Sequence, residues 1–214
     1  MEPVTAPKPI RLELPHATLA ADFTLPLHAP GIVIFAHGSG SSRLSPRNQY
    51  VAQRLQQAGF GTLLFDFLTP AEDQLVESRF DQELLTRRLI GATSWVCREL
   101  RLFDLNLGFF GASTGSAIAL RAAAELGDRV KAMVLRGGRP DLAADTLDQV
   151  KAATLLIVGG QDWPTLDPNE QALQRLSGPK RLHVVPGAGH LFEESGSLEE
   201  VGDLTAEWCR THLR

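Results

Sequence analysis

The sequence predicts an α/β protein built on a mostly parallel sheet with helices on both faces, and three observations carry that expectation. Short apolar runs of strand length alternate with amphipathic helical patterns almost to the C-terminus. The run Ile32-Val33-Ile34-Phe35-Ala36 is apolar throughout and β-branched at its start, as a strand buried on both faces requires. Polar residues gather directly after several such runs, at the strand ends where parallel sheets hold their ligands.

Taken in order, residues 10–14 and 18–27 read as an opening antiparallel pair around Pro15-His16. Further strands are expected at 32–36, 60–66, 106–111, 130–136, 153–159 and 180–185. Ser45-Pro46 supplies an N-cap and a proline at the first helical position, for a helix that ends at Gly59 with Val51, Leu55 and Ala58 inward. Asp81 caps a longer helix whose apolar stripe is Leu85, Leu89, Ala92, Val96 and Leu100. An alanine-rich helix follows Gly115 and stops near Gly127-Asp128, while shorter ones are expected near 142–148 and 169–176. Ser197 and Glu200 have capping-box spacing for a last helix with Leu198, Val201, Leu204 and Trp208 on one face. Helices of this length between strands imply right-handed crossovers.

Length and composition narrow the classes. At 214 residues and 23.3 kDa the chain suits one domain, expected over 10–214 behind a loose tail at 1–9. Acidic and basic residues are intermixed around a net charge of -4, which argues against a nucleic-acid partner. No apolar run approaches the ~20 residues of a membrane span. The N-terminus has neither a basic nor an apolar leader segment, so a cytoplasmic location is expected. Cys97 and Cys209 fall in helical patterns away from the glycine-rich turns and match no metal or disulfide spacing. No metal or other cofactor is expected, and monomer and homodimer stay open.

The chemistry concentrates at Gly111-Ala112-Ser113-Thr114-Gly115, directly between an apolar strand and the alanine-rich helix. A G-x-S-x-G pentapeptide in that setting exposes its serine on a sharp turn, where it can act as a nucleophile. Ser113 then needs a base, and histidine near its normal pKa is the best match. His190 stands apart from the other histidines because it follows Pro186-Gly187-Ala188-Gly189, beyond the last strand. The acid that orients the base is expected beyond an intervening strand, and Asp162 follows Gly159-Gly160-Gln161 there. Asp167 on the same loop and Asp141 after the preceding strand are the substitutes. For the oxyanion, one N–H is expected from Ala112 or Thr114, with Thr114 the usual donor, and another from Ser39 in His37-Gly38-Ser39-Gly40-Ser41-Ser42. That loop has no lysine-bearing phosphate-loop pattern.

Four motifs in this order make the chain resemble the α/β-hydrolases, and within them the small, lidless enzymes related to dienelactone hydrolase. They are His37-Gly38-Ser39-Gly40, Gly111–Gly115, Gly159-Gly160-Gln161-Asp162 and Gly187-Ala188-Gly189-His190-Leu191-Phe192, and the resemblance runs from about Gly31 to Leu213. It implies a serine esterase acting on small carboxylic esters or lactones through Ser113, Asp162 and His190, without a separate lid domain. Dienelactone hydrolases proper carry cysteine where this chain has Ser113, which shifts the expectation to general serine-esterase chemistry. A thioesterase or acyltransferase using the same serine, or a non-catalytic ligand-binding protein on the same fold, are the alternatives.

Arg43, Arg47, Arg136 and Arg139 follow strands at the same sheet edge, so Arg43, Arg136 and Arg139 are candidate substrate-binding residues for an anionic ester. The competing expectation pairs these arginines with Asp66, Glu72, Asp73 or Asp141. Trp163, with Phe67, Leu166, Leu191 and Phe192, is a candidate for lining a shallow cleft, and 67–80 is the one candidate flap.

Overall fold

The computed structural model describes residues 7–99 and 105–214. Its strands are Lys8–Leu14 (β1), Ala17–Thr24 (β2), Gly31–Ala36 (β3), Gly61–Phe65 (β4), Asn106–Ala112 (β5), Val130–Arg136 (β6), Ala153–Gly159 (β7) and Lys180–Val185 (β8). Its α-helices are Pro46–Gln57 (α1), Gln82–Glu99 (α2), Gly115–Leu126 (α3), Trp163–Arg175 (α4) and Ser197–His212 (α5). The strands form one sheet in the order β1-β2-β4-β3-β5-β6-β7-β8. The β1–β2 and β2–β4 pairs are antiparallel, and every pair from β3 onward is parallel.

Period-two alternation divides the core into two layers. Ile32, Ile34 and Ala36 of β3 pack toward α2 and α3 with Leu89, Ala92, Val96 and Ile118. Val33 and Phe35 pack oppositely, with Val51 and Leu55 of α1 and Val201 and Cys209 of α5. The connections after β3 and β5 leave toward opposite faces, so a crevice opens between those two strands at their C-terminal ends. Among the described residues there is no separate lid domain. Among the described residues no helix is long and apolar enough to cross a membrane.

Local signals account for most boundaries. Ser45 Oγ accepts the Asn48 N–H at the start of α1, and Asp81 Oδ1 accepts the Leu84 N–H ahead of α2. Leu100, expected on the α2 stripe, lies outside the described residues. β1 begins at Lys8, inside the stretch expected to be a tail, because Lys8 and Pro9 register against Phe23 and Asp22.

Three expectations need correction. The Ser197/Glu200 capping box does not form: Gly196, at φ 82°, is the N-cap, and Glu200 Oε1 instead pairs with His183 Nε2 at 2.6 Å. The helix expected near 169–176 starts earlier, at Trp163, with Asp162 at its N-cap position. The segment near 142–148 is a kinked 3-10 helix over Pro140–Gln149, not an α-helix.

Leu55 is fully buried between α1 and the sheet. Leu55→Ala is expected to cost about 2–5 kcal/mol, the range for a leucine cavity in a packed core. Urea unfolding followed by circular dichroism should show a lower midpoint with an unchanged slope.

Candidate active site

The turn between β5 and α3 is forced into a sharp shape by close backbone packing. A Cβ on Gly115 would stand 2.2 Å from the Ala36 carbonyl oxygen, and one on Gly111 would stand 2.7 Å from Ser116 Cα. Only glycine fits at either place. Between them Ser113 adopts φ 53°, a left-handed conformation that costs a non-glycine residue of order 1–3 kcal/mol. Its backbone is held on both sides. The Ser113 N–H donates to the Arg136 carbonyl at 3.0 Å, and the Ser113 carbonyl accepts from Ser116 Oγ at 2.6 Å.

Two loops from distant parts of the chain meet this turn. His190 Nε2 lies 3.1 Å from Ser113 Oγ, and His190 Nδ1 lies 2.7 Å from Asp162 Oδ2. With a carboxylate at Nδ1 the ring carries its proton there, leaving Nε2 to accept from the serine. Asp162 is buried, whereas the His190 side chain is 38% exposed. Asp162 occupies the N-cap of α4 without capping it, because its carboxylate faces the histidine.

Sequence reasoning missed the residues that steady this pair. Thr165 Oγ1 donates to Asp162 Oδ2 at 2.6 Å, and Asn169 Nδ2 ties α4 to the Gly138 carbonyl at 2.9 Å. The spacing Asp162-x-x-Thr165 at a helix start was a readable signal for the first. The second depends on a tertiary contact. Glu194 Oε1 accepts the Gly189 N–H and braces the histidine loop. The substitute acids are elsewhere: Asp167 is exposed, and Asp141 is paired with Arg139.

The loop after β3 comes against the Ser113 turn but in an unexpected way. Thr114 is the N-cap of α3, so its N–H stands at the positive end of that helix. The Ser39 N–H, expected to be free for an oxyanion, donates to Thr114 Oγ1 at 2.8 Å. Ser39 Oγ lies 3.0 Å from Thr114 Oγ1 and donates to the Arg79 carbonyl, which links the loop to segment 67–80. His37 anchors the base of the same segment: Nδ1 donates to the Gly38 carbonyl, and Nε2 accepts the Phe67 N–H. Burial holds the His37 pKa below its usual value, against the opposing pull of the Gly38 carbonyl, Asp66 and Asp73.

A cleft of about 410 Å³ adjoins Ser39 and Thr114. Phe67, Phe80, Leu85, Ile118 and Leu142 give it apolar walls, and segment 67–80 forms one side. Arg43 lines it but is committed to Asp66, through its backbone N–H at 2.8 Å and its guanidinium at 2.5 Å. Arg139 is likewise held by Asp141 through Nε and Nη2. Trp163 is 72% exposed and does not line the cleft, nor do Leu166, Leu191 or Phe192. Arg136 is buried and turned to the opposite face of the sheet, over the Phe192 ring. Among the described residues no group of His, Cys, Asp or Glu side chains could hold a metal ion.

Comparison with known proteins agrees with this architecture. Residues 29–207 match the family model described as Alpha/beta hydrolase domain. The structure is similar to that of a dienelactone hydrolase from Anabaena variabilis, with a TM-score of 0.93 and 50% identity over 98% of this chain and 100% of that one. Est1E from Butyrivibrio proteoclasticus shares the fold at a TM-score of 0.77 and 15% identity, covering 97% of this chain and 98% of its own. A Mycobacterium tuberculosis protein bearing the name "Putative phosphoribosyl transferase" is 53% identical over 195 residues. That match covers 91% of this chain and 44% of the relative, so the chain spans less than half the length of that protein.

The His37 arrangement has a signed consequence for stability. Its folded pKa lies below the unfolded value of about 6.5. As pH falls below about 6.5 the unfolded chain takes up the proton and the folded chain resists it, so stability falls. The slope from this one group is at most about 1.4 kcal/mol per pH unit. Unfolding curves between pH 7.5 and 5 should be flatter for His37→Asn than for the wild type by that difference.

Proposed function

The chain belongs to the alpha/beta hydrolase domain family, and from that premise we propose that it is an esterase-like enzyme, a serine hydrolase of small carboxylic esters or lactones working through an acyl-enzyme intermediate. The observation that carries the reading is the hydrogen-bonded series from Asp162 through His190 to Ser113, at 2.7 and 3.1 Å. Such a series is the requirement for making a serine hydroxyl nucleophilic at neutral pH.

In this mechanism Ser113 Oγ attacks the ester carbonyl as His190 Nε2 removes its proton. Asp162 holds the ring and stabilises the imidazolium. The tetrahedral oxyanion is received by the Thr114 N–H and, once the Thr114 side chain rotates off it, by the Ser39 N–H. His190 returns the proton to the departing alcohol. A water, deprotonated by the same ring, then attacks the acyl-serine and releases the acid. The apolar cleft beside Ser39 and Thr114 is the natural place for one arm of the substrate, and its size favours short or compact groups.

The phosphoribosyl transferase name is not carried over to this chain. It belongs to a protein of which this chain covers only 44%.

Two variants test the assignment. Ser113→Ala should remove both turnover of a short-chain ester and stoichiometric labelling by a fluorophosphonate probe; labelling that persists at full stoichiometry would exclude Ser113 as nucleophile. Asp162→Asn should keep the fold by circular dichroism while lowering kcat roughly 10⁴-fold, the size of effect seen when the orienting acid of such a triad is neutralised.

A further inference from the structure

Arg136 is a buried charged group with no use in the chemistry above and no carboxylate counter-ion among the described residues. Arg136 ends β6, and its side chain is 6% exposed. Its Nε and Nη1 are buried without a hydrogen-bond partner among the described residues. The guanidinium carbon stands 5.7 Å from the centre of the Phe192 ring, which covers it. A ring over the cation supplies part of what water would, but it accepts no strong hydrogen bond. Phe192 is itself fully buried at φ 55°, a conformation in which a bulky side chain is an outlier.

The nearest charge makes the imbalance worse. Arg47, the second residue of α1, is close enough to oppose protonation of Arg136, and its own Nε is buried without a partner. Burial and this repulsion lower the Arg136 pKa to about 10, so the group is still cationic at neutral pH. Among the described residues the carboxylate on Arg47 is that of Glu193, at 3.1 Å, and the Glu193 side chain is 67% exposed. Of the two guanidinium groups, Arg47 thus has one exposed counter-ion and Arg136 none among the described residues, next to the N-terminal end of a twelve-residue helix. Unpaired buried charge is expensive, and its ordinary resolution is a bound partner of opposite sign.

We propose that the neighbouring guanidinium groups of Arg47 and Arg136, beside Phe192, form a binding site for a small oxyanion, a phosphate or carboxylate group. Guanidinium forks match such groups bidentately, and the orphaned N–H groups are the donors that would be used. Arg47 releases Glu193 to receive the anion. The site is separate from the cleft. Arg136 shares its face of the sheet with Ala132 and Val134 in the layer of α1 and α5, whereas Phe67, Leu85 and Ile118 of the cleft belong to the layer of α2 and α3. Phe192 lies two residues beyond His190, so occupancy braces the loop that carries the histidine. The oxyanion comes either free from solution or as a charged arm of a substrate reaching over that loop.

Titration calorimetry with inorganic phosphate, at ionic strength held constant with chloride, tests the site on the whole chain. Saturable one-to-one binding is expected, weakened at least tenfold in Arg136→Met and in Arg47→Gln. The second variant is at a partly exposed position, so it keeps the test meaningful if Arg136→Met fails to fold. Ser113→Ala should bind phosphate as the wild type does, which keeps this result independent of the proposed nucleophile. In a parallel arm, kcat/KM is compared for a neutral ester and its carboxylate-bearing analogue. Phosphate binding assigns a free anion. A preference for the charged ester that Arg47→Gln abolishes, without phosphate binding, assigns the charged arm of the substrate. No phosphate binding and no charge preference in the wild type overturns the site, as does phosphate binding that both arginine variants retain.

Discussion

The close approach of the turn after β5 to the end of β3 is the constraint on which the other features depend. With the Ala36 carbonyl 2.2 Å from where a Gly115 side chain would begin, α3 starts almost in contact with the neighbouring strand. That contact puts Ser113 into its left-handed conformation and brings Gly38 against the serine, where a Cβ would meet Ser113 Cβ at 3.2 Å. It also stations the positive end of α3 beside the loop after β3. A similar device serves the histidine: a Cβ on Gly159 would stand 2.4 Å from the Ala188 carbonyl, so the loops after β7 and β8 also touch backbone to backbone. Glycines therefore set the separations within which side-chain chemistry can operate.

Most of the architecture was legible because it is written in local periods. Strands buried on both faces leave nearly continuous apolar runs, and β6 and β7 begin and end where those runs do. The caps at Ser45 and Asp81 are local too. The failures share a cause. Glu200 had the spacing for a capping box, but His183 on a strand seventeen positions earlier was a stronger partner. Trp163 was a candidate for lining the cleft, yet it stands at the start of α4 and is exposed. The α4 boundary was hidden by Pro164 and Pro168, which suggest loop even though the first suits a helix start.

The candidate site divides along the same line. Chain order and glycine spacing were enough to bring Ser113, Asp162 and His190 forward, and the structure puts them within hydrogen-bonding reach of one another. They could not show that Ser39 N–H is engaged by Thr114 Oγ1, since that depends on a rotamer. Nor could they sort the arginines. Arg43 and Arg139 have carboxylate partners, while Arg136 does not, and only the three-dimensional arrangement of charges reveals the difference.

The strand order carries one more consequence, for the timing of activity. The serine, the acid and the base follow β5, β7 and β8, and β8 lies at the far edge of the sheet, held by β7 alone on one side. A chain growing from its N-terminus completes the serine's turn well before it has made the residue that would activate it. Under the proposed mechanism Ser113 would therefore stay dormant through most of synthesis. Reactivity toward an acyl donor would then arise only when the last strand docks, making it a reporter of the finished fold.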